Sequence, residues 1–412
     1  MYNILIAALG LGLAACGADD PGSAGPLPPA PDTLVVSADA ELRELAQAIL
    51  PDLAARSGLS LREPVRLERR SRAELEGYLR VKLDEELPEE RARHLTAVYS
   101  RLGLMSGEED LRALLLSVYR EQVAGFYDPD STALFVMDDQ SAQALEPVLL
   151  HELVHAVQDQ WADLDAATAR ENGNDRATAA QAAIEGHATL VMLEYMAEQV
   201  QGRDLDLTEI PGFAGQMRAV LEMARSQYPE LARAPRVIQE GMLFPYMEGA
   251  GFVLEVWRAR GTRAGSFDAL LPSSTEQVLD PARFLGDPPD DPSALRVEPA
   301  DGTVLYRDGL GALETRILLE EVVGPAAGAA VVGWDGDAYV LVEAADGGLH
   351  LAWASVWDDV AARDRFLEAL APGLGALPGP ATLTPLVVGG RPGALLVVGG
   401  PLEVHVSLAE GA

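Results

Sequence analysis

Cysteine and lysine are scarce in this sequence, and basic residues are outnumbered by acidic ones. The single cysteine and the negative charge each exclude a class of protein. Because Cys16 is the only cysteine, an internal disulfide framework is impossible and the fold must depend on a hydrophobic core. Lys82 is the only lysine among 31 basic residues, which face 64 acidic ones and leave a formal net charge of −33. Nucleic acids and anionic lipid headgroups bind basic surfaces, so neither is expected as a direct partner of the protein surface.

Long apolar runs are also missing, and the run nearest the start is short. Residues 4–13 are almost wholly apolar, but ten residues are too few to span a bilayer and suit the apolar core of an export signal. The sequence Leu13-Ala14-Ala15-Cys16 resembles the lipobox of bacterial lipoproteins, whose cysteine is acylated. The resemblance implies export and a lipid anchor on Cys16 in the cell envelope, at the outer membrane where the organism has two membranes. The alternative is a buried N-terminal strand with an inert thiol.

Composition divides the remaining chain into a linker and two domains. A signal peptide of residues 1–16 is followed at 17–32 by five prolines among small residues, which predict an extended linker. Residues 33–290 have mainly helical periodicity and are predicted to form the larger domain. A proline-rich stretch then precedes a C-terminal domain at 295–412, where strand patterns surround one amphipathic helix. The predicted fold class is α+β.

The predicted elements of the larger domain include one hairpin between helices. Val65–Glu68 is predicted to be an edge strand, and strands at 125–127 and 134–137 to form the hairpin. Two long helices follow, from Pro147 to about Trp161 and from about Arg176 to Val200, with Asp175 as N-cap and Gly202 as the stop. Further helices are predicted at 213–226 and 247–260. In the C-terminal domain, strands at 331–334, 338–343, 349–357, 395–398 and 402–406, a helix at 358–370 and a turn at Asp335-Gly336-Asp337 are predicted.

The strongest chemical signal is His151-Glu152-Leu153-Val154-His155. On a helix, residues four apart emerge on one face, so both imidazoles can bind the same metal ion while Glu152 lies between them as a general base. With six histidines in 412 residues, chance would produce this pattern roughly 0.007 times. The neighbouring residues are apolar around most of the helix, so the motif is predicted to be buried. The sequence therefore predicts a Zn²⁺ site.

A catalytic zinc ion usually has three protein ligands and a water. The metzincin pattern is excluded, because its glycine and third histidine positions hold Gln158 and Trp161. The gluzincin pattern takes its third ligand from a glutamate on the next helix, and Glu185 is such a residue, 30 positions after His155. His187 is predicted to be a second-shell group or, alternatively, a ligand that replaces Glu185.

Further segments around the motif resemble a group of mostly uncharacterised bacterial gluzincin-like metallopeptidases. The resemblance implies a helix-rich metallopeptidase domain whose active-site helix packs on a small sheet, followed by a small α+β domain. By analogy it makes Tyr246, at a helix start after Pro245, a donor to the oxyanion, and the strand at 134–137 the edge that pairs with an extended peptide. The alternative for Tyr246 is a core aromatic residue with a hydrogen-bonded hydroxyl. Asp159 is a candidate for orienting an imidazole. The segments are Ala124-Gly125-Phe126-Tyr127-Asp128-Pro129, Gln158-Asp159-Gln160, Glu185-Gly186, Phe244-Pro245-Tyr246 and Ser274-Thr275-Glu276-Gln277.

These observations predict a zinc-dependent peptidase, exported and lipid-anchored, which hydrolyses a peptide or protein substrate. Two other functions stay open at this level. One is a non-catalytic envelope lipoprotein that uses a peptidase-like fold for binding, although such a protein has no need of Glu152. The other is a zinc hydrolase of small substrates, such as an aminopeptidase. The sequence leaves the oligomeric state undetermined.

The lipid anchor gives the first testable prediction. Cys16→Ser removes the only acylation site, so the protein is expected to move from the membrane fraction to the soluble fraction, because no other part of the acidic chain favours an anionic membrane. The measurement is fractionation of the expressing cells, with a resident lipoprotein as marker. Continued membrane association of the variant would contradict lipidation at this residue.

Overall fold

Helices predominate before residue 290 and antiparallel strands after it. The computed structural model describes residues 33–409 apart from 203–204, 211, 213–214, 216–227, 264 and 346. The helices of this described part are α1 (Ala40–Ser57), α2 (Arg72–Glu86), α3 (Glu89–Arg101), α4 (Leu111–Gln122), α5 (Ala142–Gln158), α6 (Leu164–Thr168), α7 (Asn174–Gln201), α8 (Pro229–Arg233), α9 (Arg236–Arg260), α10 (Thr275–Leu279), α11 (Pro281–Phe284), α12 (Gly311–Val322) and α13 (Val360–Leu370).

The strands form three separate sheets. They are β1 (Val35–Val36), β2 (Val65–Arg70), β3 (Gly125–Asp128), β4 (Ala133–Met137), β5 (Leu295–Pro299), β6 (Thr303–Asp308), β7 (Trp334–Glu343), β8 (Leu349–Trp357), β9 (Ala381–Val388), β10 (Arg391–Val398) and β11 (Val404–Leu408). The first sheet has the order β1-β2-β4-β3, the second is the antiparallel sheet β6-β7-β8-β10-β9, and β11 pairs with β5. The protein is therefore α+β, as the sequence predicts.

The first sheet contains the predicted hairpin but has different edges from those predicted. β3 and β4 pair antiparallel, with Phe126 opposite Phe135, which confirms the hairpin. The prediction that Val65–Glu68 is an edge strand is wrong, because the two-residue strand β1 pairs with β2 on its free side. β4 is also interior, between β2 and β3, so it cannot be the edge that receives a peptide. The free edge of the hairpin is β3.

The predicted starts of α5 and α7 are both wrong. α5 begins at Ala142, where the Ser141 side chain accepts the N–H of Ala144, and Pro147 lies inside the helix. α7 follows Gly173, so Asp175 lies in the first turn and its carboxylate instead accepts the N–H of Thr275 at 3.0 Å. In both helices, the residue that the sequence suggests as the start lies inside the helix, because a residue earlier in the chain already begins the helix. The predicted stop of α7 at Gly202, with φ 65°, is confirmed.

α9 is much longer than predicted. It begins after Pro235 and includes Pro245, so Tyr246 lies in the interior of a helix and not at its start. The predicted helix at 213–226 lies outside the described residues, with the exception of 215. In the C-terminal part, Asp335-Gly336-Asp337 belongs to β7, where the register to β8 shifts between Trp334 and Gly336, so the predicted turn there is wrong. β5, β6, β9 and α12 were not predicted.

Polar contacts fasten the start of α7 to the C-terminal part of the chain. The N–H of Asn174 donates to Asp308, and its side-chain amide donates to Glu314, which also accepts the hydroxyl of Tyr99. Burial, together with neighbouring carboxylates, raises the pKa of Glu314 to about 8. One hydrophobic core runs through both parts, from Val35 to Val398. The division into domains near residue 290 stays a prediction.

Two glycines let α7 and α9 pack at backbone distance. A Cβ atom on Gly186 would lie 2.1 Å from the carbonyl carbon of Gly249, and one on Gly249 would lie 2.0 Å from the carbonyl oxygen of Ala182. Any side chain at either position would push the helices apart. Among the described residues, no helix is long and apolar enough to cross a membrane.

Gly249→Ala is expected to lower the free energy of unfolding by about 3 kcal/mol, because the added methyl group meets backbone that cannot move aside. Thermal or denaturant unfolding measures the change. Gly241→Ala, on the same helix, is the matched control, since its Cβ meets nothing within 4 Å and alanine favours the helix by up to about 1 kcal/mol. Equal effects of the two substitutions would show that the close contact carries no special weight.

Candidate metal centre

α5 presents the two histidines of the motif inside the protein. His151 and His155 lie one turn apart and are each 1% exposed. The helix packs against β3 and β4 on one side and α7 on the other, so its apolar neighbours are buried around most of its circumference. Two buried imidazoles on one helical face require polar partners, because an unpaired polar group is costly in the core.

Glu185, on the adjoining face of α7, is one of those partners and is fully buried. Its Oε2 lies 2.9 Å from Nε2 of His151 and 3.3 Å from Nε2 of His155. Its other oxygen, Oε1, accepts a hydrogen bond of 2.7 Å from the side chain of Gln181, one turn earlier. The amide of Gln181 therefore occupies one carboxylate oxygen and leaves the other directed at the histidines.

The three ligand atoms form a nearly equilateral triangle. The two Nε2 atoms are 3.0 Å apart, so all three sides lie between 2.9 and 3.3 Å. Donors at about 2.0–2.1 Å from a tetrahedral zinc ion lie about 3.3 Å from one another, and the sides of this triangle are close to that distance. Within the described ranges, His151, His155 and Glu185 are the only group of three such side chains close enough to hold a metal ion. Two imidazoles and one carboxylate are a donor set typical of zinc enzymes.

No protein-family model, curated protein or solved structure matches this chain. The centre is therefore interpreted from its own geometry and chemistry. The resemblance to gluzincin-like metallopeptidases stays a prediction.

The charges of His155, Glu185 and their neighbours indicate what a bound cation would replace. Burial opposes a charge on His155, but the carboxylates of Glu185 and Glu152 raise its pKa to about 9. Burial also opposes a charge on Glu185, yet His155 and the hydrogen bonds of both histidines lower its pKa to about 2. Burial lowers the pKa of His151. The core thus holds one buried imidazolium–carboxylate pair, in which a metal ion can take the place of the proton.

A chain of hydrogen bonds fixes the orientation of His155. Its Nδ1 lies 2.7 Å from Oε1 of Gln158, whose Nε2 lies 2.9 Å from the carbonyl oxygen of Ile184 and 2.8 Å from Nδ1 of His187. Nε2 of His187 lies 3.1 Å from the carbonyl oxygen of Ser57. Burial lowers the pKa of His187 to about 4, so this imidazole is neutral.

The last acceptor in this chain assigns every proton. A carbonyl oxygen can only accept, so Nε2 of His187 donates to Ser57 and Nδ1 of His187 accepts. Gln158 must then donate through Nε2 and accept through Oε1, which means that Nδ1 of His155 carries hydrogen. Nε2 of His155 is left to face Glu185, as a metal ligand requires. His187 therefore contacts the amide that supports His155 and lies outside the group formed by His151, His155 and Glu185.

Asp159 lies elsewhere than predicted. Its carboxylate accepts the Tyr127 hydroxyl at 2.8 Å and the N–H of Leu164 at 3.3 Å, so the imidazole of His155 is oriented by Gln158 instead. The sequence contained a signal for this role, since Gln158 is a polar residue on the buried face of the motif helix. Spacing alone could not distinguish it from its neighbour Asp159.

Glu152 is held beside the histidines by the edge strand. Its Oε2 accepts the main-chain N–H of Tyr127 in β3 at 2.8 Å, and the side chain is 3% exposed. Burial raises its pKa to about 7, although the charge of His155 and this hydrogen bond oppose the shift. A carboxylate with such a pKa can both accept and release a proton near neutral pH.

Tyr246 reaches the same centre from α9. Its ring centroid lies 6.1 Å from that of His151, and its buried hydroxyl lies near the Glu185 carboxylate but makes no hydrogen bond of good geometry within the described part of the chain. Burial, followed by the charges of Glu185 and Glu152, raises its pKa well above 10, so the hydroxyl stays protonated and can donate. The structure thus brings His151, Glu152, His155, Glu185 and Tyr246 together. Cys16 lies outside the described residues.

Gln158→Ala is expected to weaken metal binding about 10- to 100-fold, because His155 loses the acceptor that fixes its tautomer. Competition with a chelator of known affinity measures the loss. Gln199→Ala, an exposed glutamine of α7, is the control and should leave affinity unchanged. Undiminished affinity in Gln158→Ala would mean that the hydrogen-bonded chain does not support the ligand.

Proposed function

We propose that the protein is a zinc-dependent peptidase. The observation that carries the proposal is the position of Glu152, which is not one of the three ligands yet is held, buried, beside them. Three protein ligands and a neighbouring carboxylate form an arrangement suited to metal-assisted hydrolysis. A zinc ion, when bound, supplies acidification of a water molecule and polarisation of the scissile carbonyl group.

The side chains divide the remaining work. His151, His155 and Glu185 would hold the ion, with Gln158 and Gln181 fixing two of these ligands. Glu152 would take a proton from the attacking water and deliver it to the leaving amine, for which a pKa of about 7 is suited. Its hydrogen bond to the N–H of Tyr127 holds the carboxylate in place for both transfers.

Tyr246 would donate its hydroxyl proton in a hydrogen bond to the oxygen of the scissile carbonyl group as negative charge develops there. The hydroxyl makes no hydrogen bond of good geometry among the described residues, which supports that role. The free edge of β3, and not the interior strand β4, would pair with an extended peptide. A third ligand from the next long helix supports the gluzincin-like assignment.

A purely binding role is less well supported. A buried carboxyl group whose pKa burial raises to about 7 destabilises the folded protein at neutral pH, and a scaffold gains nothing from it. We also propose that the enzyme is exported and lipid-anchored, which rests on residues 4–16 alone.

Glu152→Gln is expected to retain about one zinc ion per chain and to lose about 10³-fold in hydrolysis of an unfolded protein substrate, because the proton acceptor is gone. Glu146→Gln makes the same change at an exposed position of α5 and should leave turnover unchanged. Metal analysis and a fluorogenic protein substrate give the two readouts.

Glu185→Ala is expected to lose zinc itself, whereas His187→Ala should weaken binding less. Turnover that survives in Glu152→Gln, or a wild-type protein that takes up no zinc after reconstitution, would overturn the proposal.

A further inference from the structure

A cavity of about 460 Å³ is lined by residues of several elements, among them one face each of α4, α7 and α9. On α4 the lining residues are Leu111, Leu115 and Tyr119, which recur every four residues along one face. At about 100° per residue, Gln122 points between the directions of Leu111 and Leu115, so it continues the same face beyond Tyr119. This cavity is called the cleft below.

The other two helices direct the cleft toward the metal. On α9, Ile238 and Met242 line it, and Tyr246 follows four residues later on the same face. On α7, Thr178 lines it, and the metal ligand Glu185 follows two turns later. The cleft-lining faces of α7 and α9 thus both lead to the metal centre.

The end of α4 reaches the same place. Tyr119 lies close enough to Tyr246 to contribute to the rise of its pKa. β3 begins three residues after Gln122, and its Tyr127 N–H donates to Glu152. Gln122 therefore ends the cavity-lining face of α4 on the side of the edge strand, and this end is called the inner end of the cleft below.

Gln122 is polar, buried and without partners. Its side chain is 2% exposed, and neither Nε2 nor Oε1 makes a hydrogen bond in the described part of the chain. An amide buried in this way loses its hydrogen bonds to water and gains none in return. Such a group on a cleft-lining face indicates a ligand that completes it.

We propose that Gln122 binds the main chain of the substrate at the inner end of the cleft. This proposal rests on the proposed peptidase function and specifies its substrate. A primary amide has one donating and one accepting end, as does a peptide bond, so Nε2 of Gln122 would donate to a substrate carbonyl oxygen and Oε1 would accept a substrate N–H. Recognition through the main chain places the class of substrate among extended peptides and leaves side-chain preference to the rest of the cleft.

The test combines a variant with a series of modified substrates. Gln122→Met keeps the size of the side chain and removes both hydrogen-bonding ends. It is expected to lower kcat/KM for a peptide about 10- to 100-fold, with zinc content unchanged and melting temperature unchanged or higher. In the wild type, N-methylation of one particular amide of the peptide should cost about tenfold in kcat/KM, and in Gln122→Met that methyl group should cost nothing further.

Two more variants sharpen the result. Gln122→Glu retains the acceptor and lacks the donor, so it should stay sensitive to N-methylation at that amide while its kcat/KM falls. Gln199→Met makes the same chemical change as Gln122→Met at an exposed site and should behave as wild type. If each N-methyl group lowers kcat/KM equally in wild type and in Gln122→Met, the inference is overturned. A fall in the melting temperature of Gln122→Met that accounts for its lost activity would also overturn it.

Binding separates this inference from the proposed function. The zinc-loaded Glu152→Gln protein should bind a fluorescent peptide, and the Glu152→Gln, Gln122→Met double variant should bind it about tenfold more weakly. Binding that depends on Gln122 in a protein whose wild type cleaves nothing would reject the peptidase and keep the substrate site. Cleavage that is indifferent to Gln122 would reject the site and keep the peptidase.

Discussion

The close packing of α7 against α9 at Gly186 and Gly249 is the contact on which the metal centre depends. Glu185 precedes one of these glycines, and Tyr246 lies three residues before the other. The distance between the two helix backbones therefore sets how far the third ligand on α7 stands from the tyrosine hydroxyl on α9. A single added methyl group at this contact would move apart two helices whose side chains meet at one centre.

Amide side chains around the ligands fix the orientation of the ligand side chains. Gln158 and Gln181 each occupy one atom of a ligand side chain and leave the other atom free for the metal. Amides suit this position because they donate and accept without adding charge to a centre already crowded with titratable groups. Hydrogen bonds from Gln158 to His187 and from His187 to Ser57 connect this support to the end of α1.

The parts of this centre that follow from local spacing were predictable from the sequence. His151 and His155 lie on one helical face whatever the rest of the fold does. Glu185 was expected from the gluzincin pattern, across a segment that contains α6. The helical pattern marks Gln158 as a buried polar residue but does not give its partners, and the role of Gln122 depends on what faces it across helix contacts, which no local pattern encodes. The predictions that helices start at Pro147 and Asp175 were wrong for a similar reason, since the helices already begin after Ser141 and Gly173. The prediction of the edge strand of the first sheet was wrong because β1, which covers that edge, comes from a distant, two-residue segment.

The hydrogen-bonded chain that ends at Ser57 also bears on how the fold and a bound ion influence each other. The ligands and their supports come from α1, α5, α7 and α9, which meet only in the complete fold. An unfolded chain could not reproduce that arrangement, so an ion would select the folded form and stabilise it by mass action. Ion binding and global folding would then form one linked equilibrium, in which removal of metal by a chelator acts on the entire protein and not only on its chemistry.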